Sequence, residues 1–346
     1  MARRVLLVGA GPAHRGLLQA LASGPLRDAD VVWLAGAAPI VLPGRVPALV
    51  AGRYTLAQCQ LDPVPLASAA GVRLVQASVV AVDVGARRVQ TSDGRSASYD
   101  LLSLDPEAVI DRDLIPGGRE QGLFVYPLHH FTRLLDPLLS LAAQRALDIV
   151  VVGAGHCGVE LALAFQQRLG TDSDRPARVA LVTGGGEPMG RHPAALQRRV
   201  ARALAARRIT IFREPCAALL PGAVVLSSGA RLACDAPVLA TGAQAPRWLA
   251  GSGLALDEAG FVAAGATLQS VSHPEVLAVT GLARQAHLLA SNLRRLLAGQ
   301  APRSARPAPR ALHFVDLGDR RAIVARGDWV AQGRWAGLWK DRIDRA

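Results

Sequence analysis

At 346 residues the chain has room for about two domains, and its 51% hydrophobic content excludes an intrinsically disordered protein. The net charge of +12 is almost all arginine, Lys340 being the only lysine. With 4% aromatic residues and no basic run interleaved with them, a nucleic-acid surface is excluded. The four cysteines, Cys59, Cys157, Cys216 and Cys234, form no C-x-x-C pair, which argues against a zinc site or a local redox disulfide and fits a reducing cytoplasm.

In chain order, the opening RVLLVGAGPAHRGLLQAL reads as a strand over Val5–Val8, a glycine turn and a helix. Gly9 and Gly11 fall on the first two positions of G-x-G-x-x-G, with Ala10, Pro12 and Ala13 between and after them. His14 stands at the third, where a side chain is expected to push helix and strand slightly apart. The unit closes with a strand at 31–34, after which WLAGAAP lacks the acidic residue that usually holds ribose hydroxyls. Residues 72–104 read as a β-meander with a turn at Ser92-Asp93-Gly94, and YDLLSLD at 99–105 as a further strand. The polar stretch 111–120 is a crossover and a domain boundary.

A helix near 128–145 leads to the stretch that carries most information, DIVVVGAGHCGVELALAF at 148–165. The β-branched run Ile149–Val152 suits a central parallel strand. Gly153, Gly155 and Gly158 then keep the full spacing: the first for the tight turn, the second for close approach of a pyrophosphate, the third for helix–strand packing. The helix that follows offers free N–H groups and a positive dipole end to phosphates. A strand and turn follow at 178–189, an arginine-rich helix at 193–208, a strand at 208–212, and a hairpin plus strand ending in Thr241-Gly242 at 223–242. After a strand and turn at 273–283 and a helix to about Leu297, the proline-bearing linker 299–310 leads to a C-terminal piece read as a hairpin and an amphipathic helix. Two such glycine units imply two different dinucleotides meeting at one reaction centre.

The two glycine turns, the Ala-Thr-Gly at 240–242, YDLLSLD, GHCGVELALAF, APRWLAGSGLALDEAGFV at 245–262 and SVSHPEVLAV at 270–279 together resemble the two-dinucleotide-binding flavoprotein oxidoreductases of the pyridine nucleotide-disulfide oxidoreductase superfamily. Within it, the chain is similar to the type II NADH:quinone oxidoreductase-like branch. It is most similar to the selenide, water dikinase-associated subgroup, which tolerates histidine at the third motif position. The resemblance spans essentially the whole chain. It implies an α/β fold of two Rossmann-like domains in three-layer ββα arrangement plus a small C-terminal α+β piece. The FAD-binding-type domain would comprise 1–115 and 246–298, the NAD(P)-binding-type domain 116–245, and the linker and C-terminal domain 299–346. It also implies an enzyme that passes hydride from NAD(P)H to FAD and then electrons to a quinone-like or other acceptor. The alternative is a degenerate relative with weak or lost flavin binding that acts as a scaffold or sensor.

By the same resemblance, Glu160 is the catalytic candidate, near where nicotinamide meets flavin. FAD is expected at Gly9–His14, Val79, Gly281 and Leu282, and NAD(P)H at Gly153, Gly155, Gly158, Thr241 and Gly242, with a slight lean to NADH. Three departures weaken the match: Leu282 replaces the aspartate that contacts the flavin side chain, Glu107 replaces a glycine, and the acid after the second strand is missing. Trp335, Leu338 and Trp339 share one face of the C-terminal helix, with basic neighbours. They either pack as a lid or give peripheral contact with the inner face of a membrane.

Overall fold

The computed structural model describes residues 2–171, 174–279, 283–305 and 311–345. The chain divides into two compact units. The first comprises Met1–Ile40, Leu61–Val109 and Gln244–Pro307. The second comprises Val41–Gln60, Ile110–Ala243 and Ala308–Ala346.

In the first unit five parallel strands lie in the order Val276–Ala278, Leu101–Leu104, Arg3–Val8, Ala29–Leu34, Arg73–Val75. Alternation along the central strand separates two cores. Val5 and Leu7 face Leu17, Leu18 and Leu21 of the helix Pro12–Ser23 and Leu289 and Leu293 of the helix Ala286–Leu297. Leu6 and Val8 face Val82, Val89 and Tyr99 beneath the antiparallel meander Val79–Asp83, Arg88–Thr91, Ser96–Ser98. The result is the expected meander–sheet–helix sandwich, with the strand order reversing between Arg3–Val8 and Leu101–Leu104, where ligands of such sheets bind.

The second unit repeats the parallel sheet, in the order Leu123–Phe124, Ala236–Leu239, Asp148–Val152, Arg178–Val182, Thr210–Phe212. It has its own antiparallel trio, Cys216–Leu220, Ala223–Leu226, Arg231–Ala233.

The division shifts the sequence-derived boundaries by a few residues near 110–115 and 244–245, groups 299–307 with the first unit, and differs more widely at two segments. Residues 41–60 group with the second unit, because Val46, Leu49, Val50 and Cys59 are buried in the same cluster as Val159, Leu161 and Ala162. The C-terminal piece groups there too, through Val315, Leu317, Ile323 and Ala325. That piece is three-stranded rather than a hairpin. After Leu312–Asp316 and Ala322–Arg326, a tight turn at Gly327-Asp328 (φ 61° at Gly327) returns the chain as Trp329–Gly333, before the helix Arg334–Arg345.

His14 is accommodated in an unexpected way. It is fully buried, its Nδ1 is 2.9 Å from the Gly9 carbonyl oxygen, and its Nε2 is 2.8 Å from the Ser103 hydroxyl. A carbonyl oxygen only accepts, so Nδ1 carries the proton and Nε2 accepts from Ser103. Burial pushes the imidazole below its usual range, against the opposing pull of Asp105, which keeps it neutral. The ring therefore bonds helix to turn to neighbouring strand instead of acting as a wedge. His14→Gly, which restores the consensus pattern, should destabilise the protein by about 2–4 kcal/mol through the cavity and two lost hydrogen bonds. A urea unfolding midpoint equal to or above that of the natural chain would refute this.

Candidate functional site

In the second unit the glycine turn is shaped by close approaches that no side chain could enter. Gly153 has φ 109°, and a Cβ there would stand 2.4 Å from the Ala240 carbonyl oxygen; one on Gly158 would stand 1.8 Å from that of Gly153. Gly155 is different. It has φ −69° and ψ −174° at the N-cap of the helix His156–Phe165, and none of the described residues lies within 4 Å of its Cβ position. Gly242 faces open space as well, and Ala240 N–H donates to the Val152 carbonyl (2.8 Å), which brings Thr241 and Gly242 out beside Gly153. Two strand ends at a topological switch point, an open glycine and a helix amino end form a cradle that fits a dinucleotide's diphosphate. Beyond the next strand, Gly184, Gly185 and Gly186 are likewise open, and Glu187 pairs with Arg213 at 2.7 Å.

The first unit solves the same turn differently. Gly9 (φ 98°) abuts the backbone of Asp105, a Cβ there standing 2.1 Å from its carbonyl oxygen. The space in front of Gly11 is filled, since a Cβ there would stand 2.2 Å from Asp105 Oδ1. Asp105 is 1% exposed, and its Oδ2 accepts from His14 N–H at 2.9 Å. Pro12 occupies the first helical turn and has no N–H, Ala10 is half-buried, and Ala13 is buried. Val79 starts the meander, half-buried against its core. Gly36 follows the second strand with φ 84° and open space before it, where the sequence lacks an acid. Gly281 and Leu282 lie outside the described residues. The fold and the glycine turn of this unit fit an FAD nucleotide, with Asp105 added at the helix end. Asp105 was not among the residues singled out from sequence; its signal was an acid closing the strand next to the glycine turn.

Glu160 sits in the second motif helix, 5% exposed, among converging donors. Asp316 N–H donates to its Oε1 (2.7 Å), His156 Nε2 lies 3.3 Å from Oε2, and Lys340 Nζ lies 3.9 Å from Oε1. Burial works against the charge, yet His156 and then Lys340 hold the carboxyl down at about 2. Lys340 also donates to Asp344 Oδ2 (2.7 Å) and to the Gly44 carbonyl (3.0 Å), and these acids outweigh burial and raise its ammonium above the usual range. Asp316 in turn pairs with Arg53. A cleft of about 320 Å³ opens on the group, with Val46, Pro47, Leu161, Phe314 and Ile343 as apolar walls. Cys157 lines it too, but burial and then Glu160 push its thiol up to about 12, so it is no thiolate nucleophile.

Gly155→Val should leave the unfolding midpoint unchanged, because the site is spacious and φ is ordinary, yet weaken NADH binding at least about 100-fold by filling the cradle. Unchanged affinity in a fluorescence titration would refute the assignment.

The model of the family described as pyridine nucleotide-disulphide oxidoreductase matches residues 3–295. An NADH dehydrogenase-like protein of Mycobacterium tuberculosis is 30% identical over 298 residues, covering 81% of this chain and 72% of that one. A demethylphylloquinone reductase of Synechocystis sp. is 28% identical over 157 residues, covering 44% of this chain and 38% of that one. The sulfide:quinone oxidoreductase of Aquifex aeolicus has the same fold, with TM-score 0.82 and 17% identity over 99% of this chain and 90% of that one. Given the two glycine turns and this match, the chain belongs to the pyridine nucleotide-disulphide oxidoreductase family and is an FAD- and NAD(P)H-dependent oxidoreductase.

Proposed function

We propose that the enzyme oxidises NADH, held at Gly153, Gly155, Gly158, Thr241 and Gly242, and delivers the electrons through FAD to a quinone. The observation that carries this reading is the cleft of the second unit, where apolar walls surround a buried Glu160–His156–Lys340 group. A quinone is a flat apolar ring whose two oxygens must gain protons on reduction, so it needs both features in one place. FAD, when bound, supplies the two-electron chemistry that links nicotinamide to acceptor. Glu160 is the catalytic residue in this reading. His156, whose side chain is 39% exposed and whose pKa Glu160 raises against the effect of burial, exchanges protons with water and passes them inward. The quinone activities named for the Synechocystis and Aquifex proteins agree with this choice of acceptor. The narrower likeness to the selenide, water dikinase-associated subgroup rests on sequence motifs alone.

The C-terminal helix supports a peripheral membrane role. Trp335, Leu338, Trp339 and Ile343 are 48%, 70%, 41% and 47% exposed, with Arg334 and Arg342 exposed beside them. Indoles flanked by cations suit a headgroup layer. No helix among the described residues is long and apolar enough to cross a membrane.

The test is anaerobic stopped-flow of holoenzyme. NADH-reduced enzyme should be reoxidised by a short-chain quinone at least about tenfold faster than by dioxygen, and Lys340→Met should slow that half-reaction while sparing reduction by NADH. Equal rates with both acceptors would remove the quinone. In parallel, Trp335→Ser with Leu338→Ser should abolish co-sedimentation with anionic vesicles. Truncation at Gly327 would be a poor substitute, since it removes Lys340 from Glu160.

A further inference from the structure

The helix Pro12–Ser23 has an amino end already occupied by an acid from its own unit. Asp105 Oδ2 accepts from His14 N–H, the carboxyl fills the space that Gly11 leaves, and Pro12 contributes no N–H. Asp105 Oδ1 is buried with no hydrogen-bond partner, and the residue is 1% exposed. In the second unit no described residue lies within 4 Å of where a Cβ on Gly155 would stand. A helix amino end carries roughly half a positive charge, about what one carboxylate compensates. A flavin diphosphate brought to the same end would add two negative charges beside a buried third.

We propose that Asp105 makes flavin binding proton-linked: FAD's diphosphate and the ionised Asp105 compete for the amino end of this helix, so FAD enters with uptake of one proton from water onto Asp105. The coupling acts through the electric field, because Oδ1 is closed off from solvent. Burial already raises Asp105 above the usual carboxylate range, and the groups that face it oppose this: the His14 imidazole to the extent that it carries charge, the amides of His14 and Ala13, and the Arg15 guanidinium on the helix. From the strand side Ser103 faces His14, not Asp105, and Glu107 is exposed two residues on. A nearby diphosphate raises the carboxyl further. The bound form therefore holds the proton to higher pH than the free form, and affinity falls as pH rises between the two values.

The inference rests on the placing of FAD in the first unit, and one titration separates the two. Apo protein is titrated with FAD from about pH 5.5 to about pH 8.5 at fixed ionic strength, in buffers of different ionisation heat, a range in which a solvent-exposed carboxylate would not titrate. Expected are a Kd that rises about tenfold per pH unit over part of that range and uptake of about one proton per FAD. Asp105→Asn, which keeps an acceptor for His14 N–H and carries no charge, should bind FAD with no pH slope and at least as tightly as the natural chain at the alkaline end. A flat profile in the natural chain overturns the proposal. So does a slope that persists in Asp105→Asn, or one that vanishes only in His14→Gln, which would assign the titration to the imidazole. Absence of FAD uptake at every pH overturns the placing of the cofactor as well. Should Asp105→Asn fail to fold, the proton count on the natural chain decides alone.

Discussion

A helix begins with N–H groups that its own backbone cannot satisfy, and in a Rossmann-type unit that deficit is turned toward a ligand. Both units inherit the same constraint and settle it in opposite ways. At Gly155 the amino end is left open. At Gly11 it is closed from within by Asp105, and the surrounding residues follow from that choice. With an acid beneath the turn, the third motif position is filled by an imidazole that bonds Gly9 and Ser103 rather than by a glycine that lets backbones touch. The departure from consensus at position 14 and the acid at 105 are thus two parts of one arrangement.

The second unit hangs on a different buried charge. Glu160 accepts from a strand amide at Asp316 and faces a side chain of the C-terminal helix, so one carboxylate joins the motif helix to a segment remote in sequence. Isolated in a low-dielectric interior it would be costly, and a group of this kind is stable only while its partners stay in place. Position of the C-terminal piece and ionisation of the cleft are therefore one equilibrium. Loosening either perturbs the other.

What could be read from sequence was what depends on neighbours along the chain. The runs at 5–8 and 149–152 are β-branched or aliphatic and bounded by glycine, and the close approaches at Gly153 and Gly158 follow from the turn itself. The partner of the His14 amide lies 91 positions away, and that of Glu160 at Asp316 lies 156 away, so no local pattern announces either. The grouping of residues 41–60 with the second unit had no local signal, because the partners of Val46, Leu49 and Val50 in that core, such as Val159 and Leu161, lie more than 100 positions away. The strand Trp329–Gly333 has a weak local signal: it is five residues long, ends in Gln332-Gly333, and is held by antiparallel pairing with Ala322–Arg326 across the two-residue Gly327-Asp328 turn. Thr241 and Gly242 were legible for the opposite reason: small residues closing a buried strand.

Lys340 is the only lysine of the chain. All other cationic side chains are arginine, and Lys340 is 5% exposed with its ammonium held between two acids and a carbonyl. Acylating reagents attack an amine only when it is neutral and accessible, so the folded protein offers them no reactive lysine. Modification of Lys340 then requires the C-terminal helix to let go, and its rate counts those openings. The molecule carries an intrinsic chemical clock for the fraying of the segment that closes its cleft.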